Sequence, residues 1–586
     1  MTVKLLAAWG GQPAGTLYTS DSVTEAAMVT AGVATATLTG AVAWGPPGNS
    51  PGWIGPRSVV GFTAAQIVAL AAAGTLTPNA TYIASDTGQV YLARTASALA
   101  SVSAPMPARP ALTGIGDSLT ALTYTAITIS SAVRSGGVLT IVTSSAHDLY
   151  AGARCRLDGI DTFDATMRGT FSVVTRVDST TLTVSNPGPD GTLTLGSTPR
   201  FWNLQRFNNA GLINWMQILG NQPFELKELF ATSGRRTVDM PQFVPAAAAT
   251  GAGYCWVLGG TNDIVLDGAG STTVLANLRA LITAVVGAGM RPLVCTIPPP
   301  IGTAYTAARA KTINQVNAGL RADCRANAGY ILVDIYAALI DPVNASQGTA
   351  KTNYVQANDV HPTCRGAYYG GKRAWADITG RINAAADVRT ASNADNQGFD
   401  TSSANILDAA PWTNSGGTVQ APVTGMMATG LTAFRGGSCA GVASAPARAD
   451  GLGYDAMLVA TPAAASDTCS IVTTAGTFHT RMVAGTPYTT LLSVSMSGLS
   501  GSTITTFDPR LVATIDGNSI QYASCGLCPI ETTPLDEDFT GTIAFPPMTF
   551  TGSISAGQIS AAMTFSNTGP AVTMKLGRMS IRGPVA

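Results

Sequence analysis

Charged residues are scarce in this chain of 586 residues: they make up 11% of the sequence, and Lys+Arg and Asp+Glu both number 33. Typical soluble proteins carry about 25%. No basic run stands out, so the sequence lacks the electrostatic footprint of a protein that binds nucleic acid or anionic membranes. Hydrophobic residues reach 46%, the opposite of the balance that produces disorder. The composition predicts a folded protein whose partner is neutral or only locally charged.

Long apolar segments are also lacking. The apolar part of the N-terminal MTVKLLAAWGGQP is shorter than a signal-peptide core. No uncharged apolar run approaches the roughly 20 residues of a membrane-spanning helix. We therefore expect neither membrane insertion nor export through a signal peptide.

Cysteines are few and irregularly spaced. Nine cysteines without a repeating pattern argue against a disulfide framework, and most are expected to be buried thiols. The pair Cys525 and Cys528 in CGLC lacks the second pair or the nearby histidine that a zinc site needs. Phosphate-binding glycine loops and EF-hand patterns are also missing. We expect neither a metal nor an organic cofactor.

The sequence changes character along its length, which predicts a multidomain protein with α/β and all-β parts. Residues 1–105 combine short strand-like runs with a capping box, Thr63 and Gln66, before IVALAAA, and with a hairpin, TYIASDTGQVYLA. This region is expected to form a small N-terminal domain. Residues 389–586 contain short strands separated by Gly, Pro, Asn and Asp, which predicts a β-sandwich, jelly-roll-like in type.

Between these regions, residues 106–388 alternate apolar strands with helical stretches. ALTGIGDSLTAL, GYCWVLGGTND, MRPLVCTIPPP and GYILVDIYAAL are each bounded by Gly or Pro. This alternation predicts a parallel sheet covered by helices. Thr/Val-rich alternating runs interrupt it between about 128 and 200, and they predict an inserted β-module.

Ser118 is the candidate nucleophile of the α/β region. It follows the apolar run ALTGI, so it is expected at the carboxyl end of the first parallel strand, where open α/β sheets bind ligands. A serine hydroxyl needs a base, and the chain has three histidines, His147, His361 and His479. His147 lies in the β-module and His479 between Thr-rich runs, and we expect both to be surface or turn residues. His361 follows the last core strand and is the candidate base.

Three motifs now resemble blocks I, III and V of the SGNH (GDSL-like) hydrolases: GDSL at 116–119, GGTND at 259–263 and NDVHPT at 358–363. The resemblance implies a flavodoxin-like three-layer α/β/α domain, in which Ser118 attacks an ester carbonyl and His361 accepts its proton. It also implies an oxyanion hole formed by the Ser118 backbone N–H, Gly234 in FATSGRRTVDM and Asn262.

The residue that orients His361 departs from the family pattern. Block V usually reads Asp-x-x-His, and this chain has Asn358 at that position, with Asp359 one residue nearer. Either Asn358 accepts the imidazole N–H as a neutral partner, or a local shift lets Asp359 do so. The Asp359 alternative is slightly favoured. Orientation by Asn358 would predict a slower esterase, because a neutral partner stabilises the imidazolium less than a carboxylate does.

The opening segment GTLYTSDSVTEAAMVTAGVATA and the segment GGVLTIVTSSAHDLYAGARCRLDGI of the inserted β-module are similar to parts of bacteriophage tail proteins. This resemblance implies a virion component, made in the host cytoplasm, with other phage tail proteins as partners and a homotrimeric assembly. The expected substrate is an O-acetylated bacterial surface polysaccharide, which the C-terminal region would contact. Trp412 and Tyr488 could stack on sugars, although core packing is the favoured role for each.

Two alternatives stay open at this stage. One is a structural adhesin whose SGNH fold binds glycan without hydrolysing it, as the Asn358 departure suggests. The other is a cellular lipase, which usually has an apolar lid that this sequence does not display. Hydrolysis of a small chromogenic ester separates the adhesin from the esterase.

Overall fold

The computed structural model describes residues 2–5, 17–19, 34–36, 58–62, 64–73, 75, 81–84, 90–93, 99–102, 109–160, 170–357, 359–382, 416–448, 453–473, 478–526, 535–549 and 552–583. The chain divides into two compact units, residues 1–105 and 106–586. In the described part of the chain, no helix has the length and apolar character needed to cross a membrane.

The first unit contains two small sheets and one helix. In chain order its elements are β1 (Thr2–Leu5), β2 (Leu17–Thr19), β3 (Ala34–Ala36), β4 (Ser58–Phe62), α1 (Ala64–Ala72), β5 (Thr81–Ala84), β6 (Val90–Ala93) and β7 (Leu99–Val102). The strands pair in the orders β2-β1-β3 and β4-β5-β6-β7. The predicted helix is α1, and the predicted hairpin is the antiparallel pair β5 and β6. Thr63 and the turn residues 86–88 lie outside the described residues.

The second unit opens with β8 (Ala111–Gly116) and the short helix α2 (Ser118–Ala121), and a β-barrel follows. Its strands are β9 (Tyr124–Ser135), β10 (Val138–Thr143), β11 (Arg154–Ile160), β12 (Thr170–Arg176), β13 (Thr181–Ser185), β14 (Gly191–Thr192) and β15 (Leu195–Asn208). They pair in the order β9-β10-β13-β12-β11-β15, and β15 pairs again with β9, which closes the sheet. Closure covers strand edges that an open sheet would expose. We call residues 124–208 the barrel; they extend beyond the expected 128–200.

After the barrel the α/β pattern resumes. The elements are α3 (Leu212–Leu219), β16 (Glu225–Ala231), α4 (Val244–Ala249), β17 (Tyr254–Leu258), α5 (Thr261–Val265), α6 (Ser271–Gly287), β18 (Arg291–Cys295), α7 (Ala307–Ala326), β19 (Ile331–Val333), α8 (Ile335–Leu339) and α9 (Cys364–Ile378). With β8 the strands form an all-parallel sheet of order β16-β8-β17-β18-β19. In chain order this is 2-1-3-4-5, the flavodoxin-like arrangement that the resemblance implied.

Both faces of this parallel sheet are buried. On β17, Trp256 and Leu258 pack into an apolar cluster with residues of α3, α8 and α9. Cys255 and Val257 pack into a second cluster with residues of α4, α6 and α7. Successive side chains of a strand point to opposite faces, so the two clusters are the two sides of one sheet. The domain therefore has three layers, α/β/α.

The C-terminal strands form two further sheets. They are β20 (Thr418–Val419), β21 (Thr424–Gly425), β22 (Leu431–Gly436), β23 (Ala440–Ser444), β24 (Ala456–Thr461), β25 (Thr468–Thr473), β26 (Thr489–Ser497), β27 (Ile504–Ile515), β28 (Asn518–Gly526), β29 (Phe539–Ala544), β30 (Ile554–Phe565) and β31 (Val572–Arg582). The orders are β28-β27-β30-β25-β22-β20 and β21-β23-β24-β31-β26-β29, and β28 also pairs with β15 of the barrel. Residues of both sheets share one apolar cluster. We call residues 416–583 the sandwich.

Candidate active site

Ser118 is positioned by a tight turn from strand to helix. It begins α2 directly after β8, the strand between β16 and β17. A Cβ at Gly116 would lie 2.3 Å from Thr120 Oγ1, so the turn requires glycine there. Asp117 caps the turn, because its Oδ1 accepts a hydrogen bond from the Leu119 N–H at 3.0 Å. Ser118 thus lies at the carboxyl end of a parallel strand, where α/β sheets bind ligands.

His361 and Asp359 complete a chain of hydrogen bonds that starts at Ser118. His361 Nε2 lies 2.7 Å from Ser118 Oγ. On the other side of the ring, His361 Nδ1 lies 2.9 Å from both Oδ1 and Oδ2 of Asp359. Asn358, the other candidate for orienting the ring, lies outside the described residues. The geometry therefore brings together Ser118, His361 and Asp359 in the order that nucleophilic catalysis by serine requires.

The turn that carries His361 is held from both ends. The Gln356 N–H donates to the His361 carbonyl at 2.8 Å, and the Thr363 N–H donates to the Tyr354 carbonyl at 3.1 Å. Thr363 also caps α9, because its Oγ1 accepts from the Gly366 N–H at 3.0 Å. These bonds fix the backbone on either side of the imidazole, so the ring reaches Ser118 from a rigid support.

Asp359 is held in its charged form. Burial raises the pKa of Asp359, but the hydrogen bond from His361 and the charge of that ring outweigh burial, so the pKa lies below its ordinary value. An ionised carboxylate at this position stabilises an imidazolium better than a neutral acceptor does. Asp359 can therefore both orient His361 and support a positive charge on it.

Asp117 is a second carboxyl group close to the histidine. Complete burial raises the pKa of Asp117 to about 7, although the Leu119 N–H and His361 oppose the shift. Its Oδ2 has no hydrogen-bond partner. A buried carboxyl without a second partner favours the protonated form. Asp117 therefore stabilises the turn that carries Ser118, and it places a second titratable carboxyl group near His361.

The three residues expected to stabilise an oxyanion follow neighbouring strands. Ser118 follows β8, Gly234 follows β16, and Asn262 lies in the first turn of α5 after β17. Gly234 has a φ of +77°, a left-handed conformation that favours glycine. Asn262 is 8% exposed, and its Nδ2 donates to the Arg235 carbonyl at 3.1 Å. An amide NH₂ carries two N–H groups, so this bond leaves the second N–H for a ligand.

Asp263 fixes the far end of the loop that carries Gly234, a role that the sequence reasoning missed. Asp263 Oδ1 accepts from Thr237 Oγ1 at 2.6 Å, and its two oxygens lie 3.2 and 3.1 Å from the Thr237 N. Asn277 Nδ2 donates to the same Thr237 Oγ1 at 3.1 Å. The signal was present in the motif GGTND, where Asp263 follows Asn262 directly.

The barrel presents a polar face to this region along strand β11. Cys155 and Leu157 belong to the buried apolar cluster that includes the barrel interior. Side chains alternate along a strand, so Arg154, Arg156 and Asp158 lie on the opposite face. This polar face contacts β16 and the loop that follows it.

Asp158 contacts the residue next to Gly234. Its Oδ2 accepts from the Ser233 N–H at 2.8 Å, and Arg156 Nη1 donates to the Leu229 carbonyl. Asp158 is 6% exposed, and burial raises its pKa although the bond from Ser233 opposes the shift. Nothing in the sequence could indicate this contact, because Asp158 and Ser233 are 75 positions apart.

The other singled-out residues lie away from this constellation. His147 is buried in the connection between β10 and β11, where its Nδ1 accepts from the Leu149 N–H at 3.0 Å, so the expectation of a surface position is wrong. His479 lies in a short 3₁₀ helix of the sandwich. Tyr488 is 3% exposed, which fits core packing and not a sugar platform. Trp412 lies outside the described residues.

Seven cysteines fall among the described side chains. All are free thiols, and all except Cys324 are buried. Of the CGLC pair, Cys525 lies in β28 and Cys528 lies outside the described residues. No group of three or more His, Cys, Asp or Glu side chains in the described part of the chain is arranged to hold a metal ion.

Comparison with known proteins finds a family match in the central part of the chain. Residues 193–368 match the model of the GDSL-like Lipase/Acylhydrolase family. The match includes Gly234, Asn262 and His361, whereas Ser118 precedes it on the other side of the barrel insertion. No curated protein matches the chain.

Part of this chain is similar to several solved structures, and three of them come from different organisms. A member of the lipolytic protein G-D-S-L family from Veillonella parvula is 20% identical, with 29% of this chain and 88% of that chain covered and a TM-score of 0.24. A GDSL-like lipase from Bacteroides thetaiotaomicron is 15% identical (28% and 81% covered, TM-score 0.22). A carbohydrate esterase family 3 protein from Talaromyces cellulolyticus is also 15% identical (26% and 76% covered, TM-score 0.22).

Together, the α/β/α fold and the family match define the central part of the chain as a hydrolase domain of the esterase type. The match within it is to the GDSL-like, or SGNH, hydrolases, over residues 193–368. The barrel and the sandwich are β-rich additions to this hydrolase domain.

Proposed function

We propose that this protein is a serine esterase that removes O-acetyl or similar acyl groups from a bacterial surface polysaccharide. The observation that carries the hydrolytic part is the 2.7 Å hydrogen bond between Ser118 Oγ and His361 Nε2, with Asp359 on the opposite ring nitrogen. A serine hydroxyl is a weak nucleophile until a positioned base takes its proton, and this arrangement supplies such a base.

In the first half of the reaction, Ser118 Oγ attacks the ester carbonyl carbon while its proton passes to His361 Nε2. The carbonyl oxygen becomes an oxyanion. The C–O bond to the sugar then breaks, and the sugar oxygen takes the proton from His361 Nε2. The products of this half are a free hydroxyl on the glycan and an acyl group on Ser118.

In the second half, a water molecule attacks the acyl group while His361 takes a proton from the water. The proton returns to Ser118 Oγ as the carboxylic acid leaves. Asp359 remains ionised throughout, holds the imidazole tautomer and stabilises the imidazolium in both halves.

The oxyanion of each half is met by three N–H groups: those of the Ser118 backbone, the Gly234 backbone and the Asn262 side chain. Fixed donors in a site with little water stabilise the developing charge without rearrangement. Asp263 and Asp158 act through the loop that carries Gly234 and are positioning residues.

The setting of this activity is part of the proposal. The similarity of the opening segment and of the barrel sequence to phage tail proteins supports a tail fibre or tailspike protein of the virion. Such a protein is made in the host cytoplasm, contacts other tail proteins and assembles as a homotrimer. The C-terminal sandwich would then contact polysaccharide or assemble the fibre.

The test is hydrolysis of p-nitrophenyl acetate by the purified full chain beside Ser118→Ala and Asp359→Asn, with folding checked by circular dichroism. We expect Ser118→Ala to lose essentially all activity and Asp359→Asn to lose up to about 10⁴-fold in kcat. Ser271→Ala is the matched control, because Ser271 lies at the start of α6 and bonds Gln315. A folded wild-type protein no faster than Ser118→Ala would overturn the esterase and favour the glycan-binding adhesin.

A further inference from the structure

A cavity of about 400 Å³ lies where the barrel meets the edge strand β16. The barrel contributes Arg156 and Leu157 to its wall. The hydrolase domain contributes the end of β16, the loop through Arg235, and the side chains of Asp239, Gln242 and Phe243. This volume falls within the usual range for small-molecule sites, about 300–1,000 Å³.

Gly234 links this cavity to the active site. It is one of the lining residues, and it is also the expected oxyanion donor on the loop after β16. The neighbouring Arg235 carbonyl accepts from Asn262 Nδ2 at 3.1 Å. A substrate whose ester group is held between Ser118 and Asn262 can therefore extend along this loop into the cavity.

Arg156 shows that the cavity wall has unmet hydrogen-bonding capacity. The side chain is 6% exposed, Nη1 donates to the Leu229 carbonyl, and neither Nε nor Nη2 has a hydrogen-bond partner. A buried donor without a partner costs free energy, more so when the group is charged. Arg156 is one of the residues that line the cavity, so an oxygen atom of a ligand bound there is a candidate acceptor for these donors.

The charges around the cavity favour a neutral ligand. Its lining includes two cations, Arg156 and Arg235, and two carboxylates, Glu228 and Asp239. Their formal charges cancel, so the cavity offers no net attraction to an anion. It mixes N–H donors and carboxylate acceptors with the aromatic residues Phe230 and Phe243, a combination that suits the hydroxyl groups and apolar ring faces of a sugar.

We propose that this cavity is a subsite for a neutral sugar residue of the substrate, built jointly by the barrel and the hydrolase domain. The proposal rests on the proposed esterase function and adds a substrate class to it. The barrel is then part of the active site, because Arg156 supplies hydrogen bonds to the sugar that the hydrolase domain alone does not have.

The experiment compares two ester probes with the full-length protein. One is p-nitrophenyl acetate, which has no sugar; the other is a partially O-acetylated neutral gluco-oligosaccharide. In Arg156→Met we expect kcat/KM on the oligosaccharide to fall about 10–100-fold more than on p-nitrophenyl acetate, mainly through KM, because charged hydrogen bonds are lost. Arg279→Met, which breaks an ion pair with Asp323 on α7, is the matched control and should affect both probes equally.

A second variant guards against misfolding of Arg156→Met. Gln242 is exposed and lines the cavity, so Gln242→Trp should fill the space without disturbing the core. It should likewise lower oligosaccharide kcat/KM more than that for p-nitrophenyl acetate. A partially O-acetylated oligogalacturonide tests the charge argument, and we expect it to be the poorer substrate.

Each outcome has a distinct meaning. A wild-type protein inactive on both esters would overturn the proposed esterase itself. Activity on p-nitrophenyl acetate with equal losses on both probes in the two variants, or with no activity on sugar esters, would overturn the subsite alone. Preference for the acidic oligosaccharide would overturn the assignment of a neutral sugar.

Discussion

The barrel and the sandwich are both β-rich additions to one hydrolase domain, and both pack apolar side chains against it. They differ in the polar groups that reach the loop after β16. The barrel approaches β16 with charged side chains: Arg154 pairs with Glu228 at 3.2 Å, and Asp158 accepts from the Ser233 N–H. These contacts are directional, and the second is made by the residue next to Gly234. A shift of Ser233 would move Gly234, the proposed oxyanion donor.

The sandwich approaches α3 and α9 with aromatic, close backbone and some charged contacts. Phe539 of β29 meets Trp215 of α3 edge to face, with ring centroids 5.3 Å apart. A Cβ at Gly541 would lie 2.3 Å from the Ile218 carbonyl, so β29 approaches α3 closely. Apolar burial is non-directional and acts chiefly on stability. From this comparison we expect changes at the barrel contact to alter the reaction rate and changes at the sandwich contact to alter stability.

The largest expected effect is on stability, at the sandwich contact. Phe539→Ala removes a ring that is 6% exposed and touches Trp215 and Tyr368. We expect a loss of about 3–5 kcal/mol in the free energy of unfolding, because a large buried side chain leaves a cavity. Urea unfolding measures this loss. Phe539→Leu, which keeps most of the volume, should lose much less. A tenfold drop in kcat of the folded Phe539→Ala protein would contradict the division of roles.

The next effect is on the rate, at the barrel contact. Asp158→Ala removes the acceptor of the Ser233 N–H and releases the loop that carries Gly234. We expect kcat for p-nitrophenyl acetate to fall about 10–10²-fold, since small misplacements of catalytic groups have effects of this size. Asp178→Ala is the matched control, because Asp178 is exposed in the barrel turn near Thr180. Equal kcat in Asp158→Ala and wild type would show that the barrel contact at Asp158 does not affect the reaction rate.

The stability contributions of Asp158 at the barrel contact and of Glu537 at the sandwich contact should depend on pH in opposite directions. Burial raises the folded-state pKa of Asp158 above 3.8, although the Ser233 N–H opposes the shift. Asp158 therefore contributes stability below pH 3.8 that is lost as pH rises through its folded pKa. Burial also raises the pKa of Glu537, but the hydrogen bond and charge of Lys372 outweigh it and bring the pKa below 4.5. Glu537 therefore contributes stability above pH 4.5 that is lost as pH falls through its folded pKa.

Urea unfolding of Asp158→Asn and Glu537→Gln from about pH 3 to about pH 8 measures these contributions. Relative to wild type, Asp158→Asn should gain stability as pH rises above 3.8. Glu537→Gln should lose stability relative to wild type over the range in which Glu537 ionises. If both variants change in stability in the same direction as pH rises, the contributions of Asp158 and Glu537 do not depend on pH in opposite directions.

The smallest effect is expected at the exposed ion pair between Lys372 of α9 and Glu537. The side chains are 50% and 37% exposed, and pairs of this kind contribute about 0–1 kcal/mol. Lys372→Met should therefore change the unfolding free energy by less than about 1 kcal/mol and leave kcat unchanged. A larger loss would mean that charge, and not apolar burial, holds the sandwich to the hydrolase domain.

Features that depend on short stretches of sequence could be predicted from the sequence. Ser118 and His361 could be proposed because each lies in a short motif, and the structure places His361 Nε2 2.7 Å from Ser118 Oγ. The alternation of strands and helices predicted the parallel sheet. The choice between Asn358 and Asp359 depends on a backbone turn that spacing does not reveal. In the structure, the Asp359 carboxylate contacts His361 Nδ1.

The remaining features depend on contacts between distant segments. Closure of the barrel comes from β9 pairing with β15, which alternation within each run cannot predict. Asp158 carried no signal because its partner, Ser233, lies beyond the barrel in the sequence.

The central claim is that Ser118 is a nucleophile activated by His361, and covalent labelling tests it most directly. The full-length protein is treated with a fluorophosphonate, whose phosphorus is attacked by an activated serine with loss of fluoride, and the adduct is located by peptide mass spectrometry. The account predicts one adduct, on Ser118, which is lost in His361→Ala while circular dichroism shows that this variant is folded. Absence of an adduct on the folded wild-type protein, or an adduct at another serine, would contradict it.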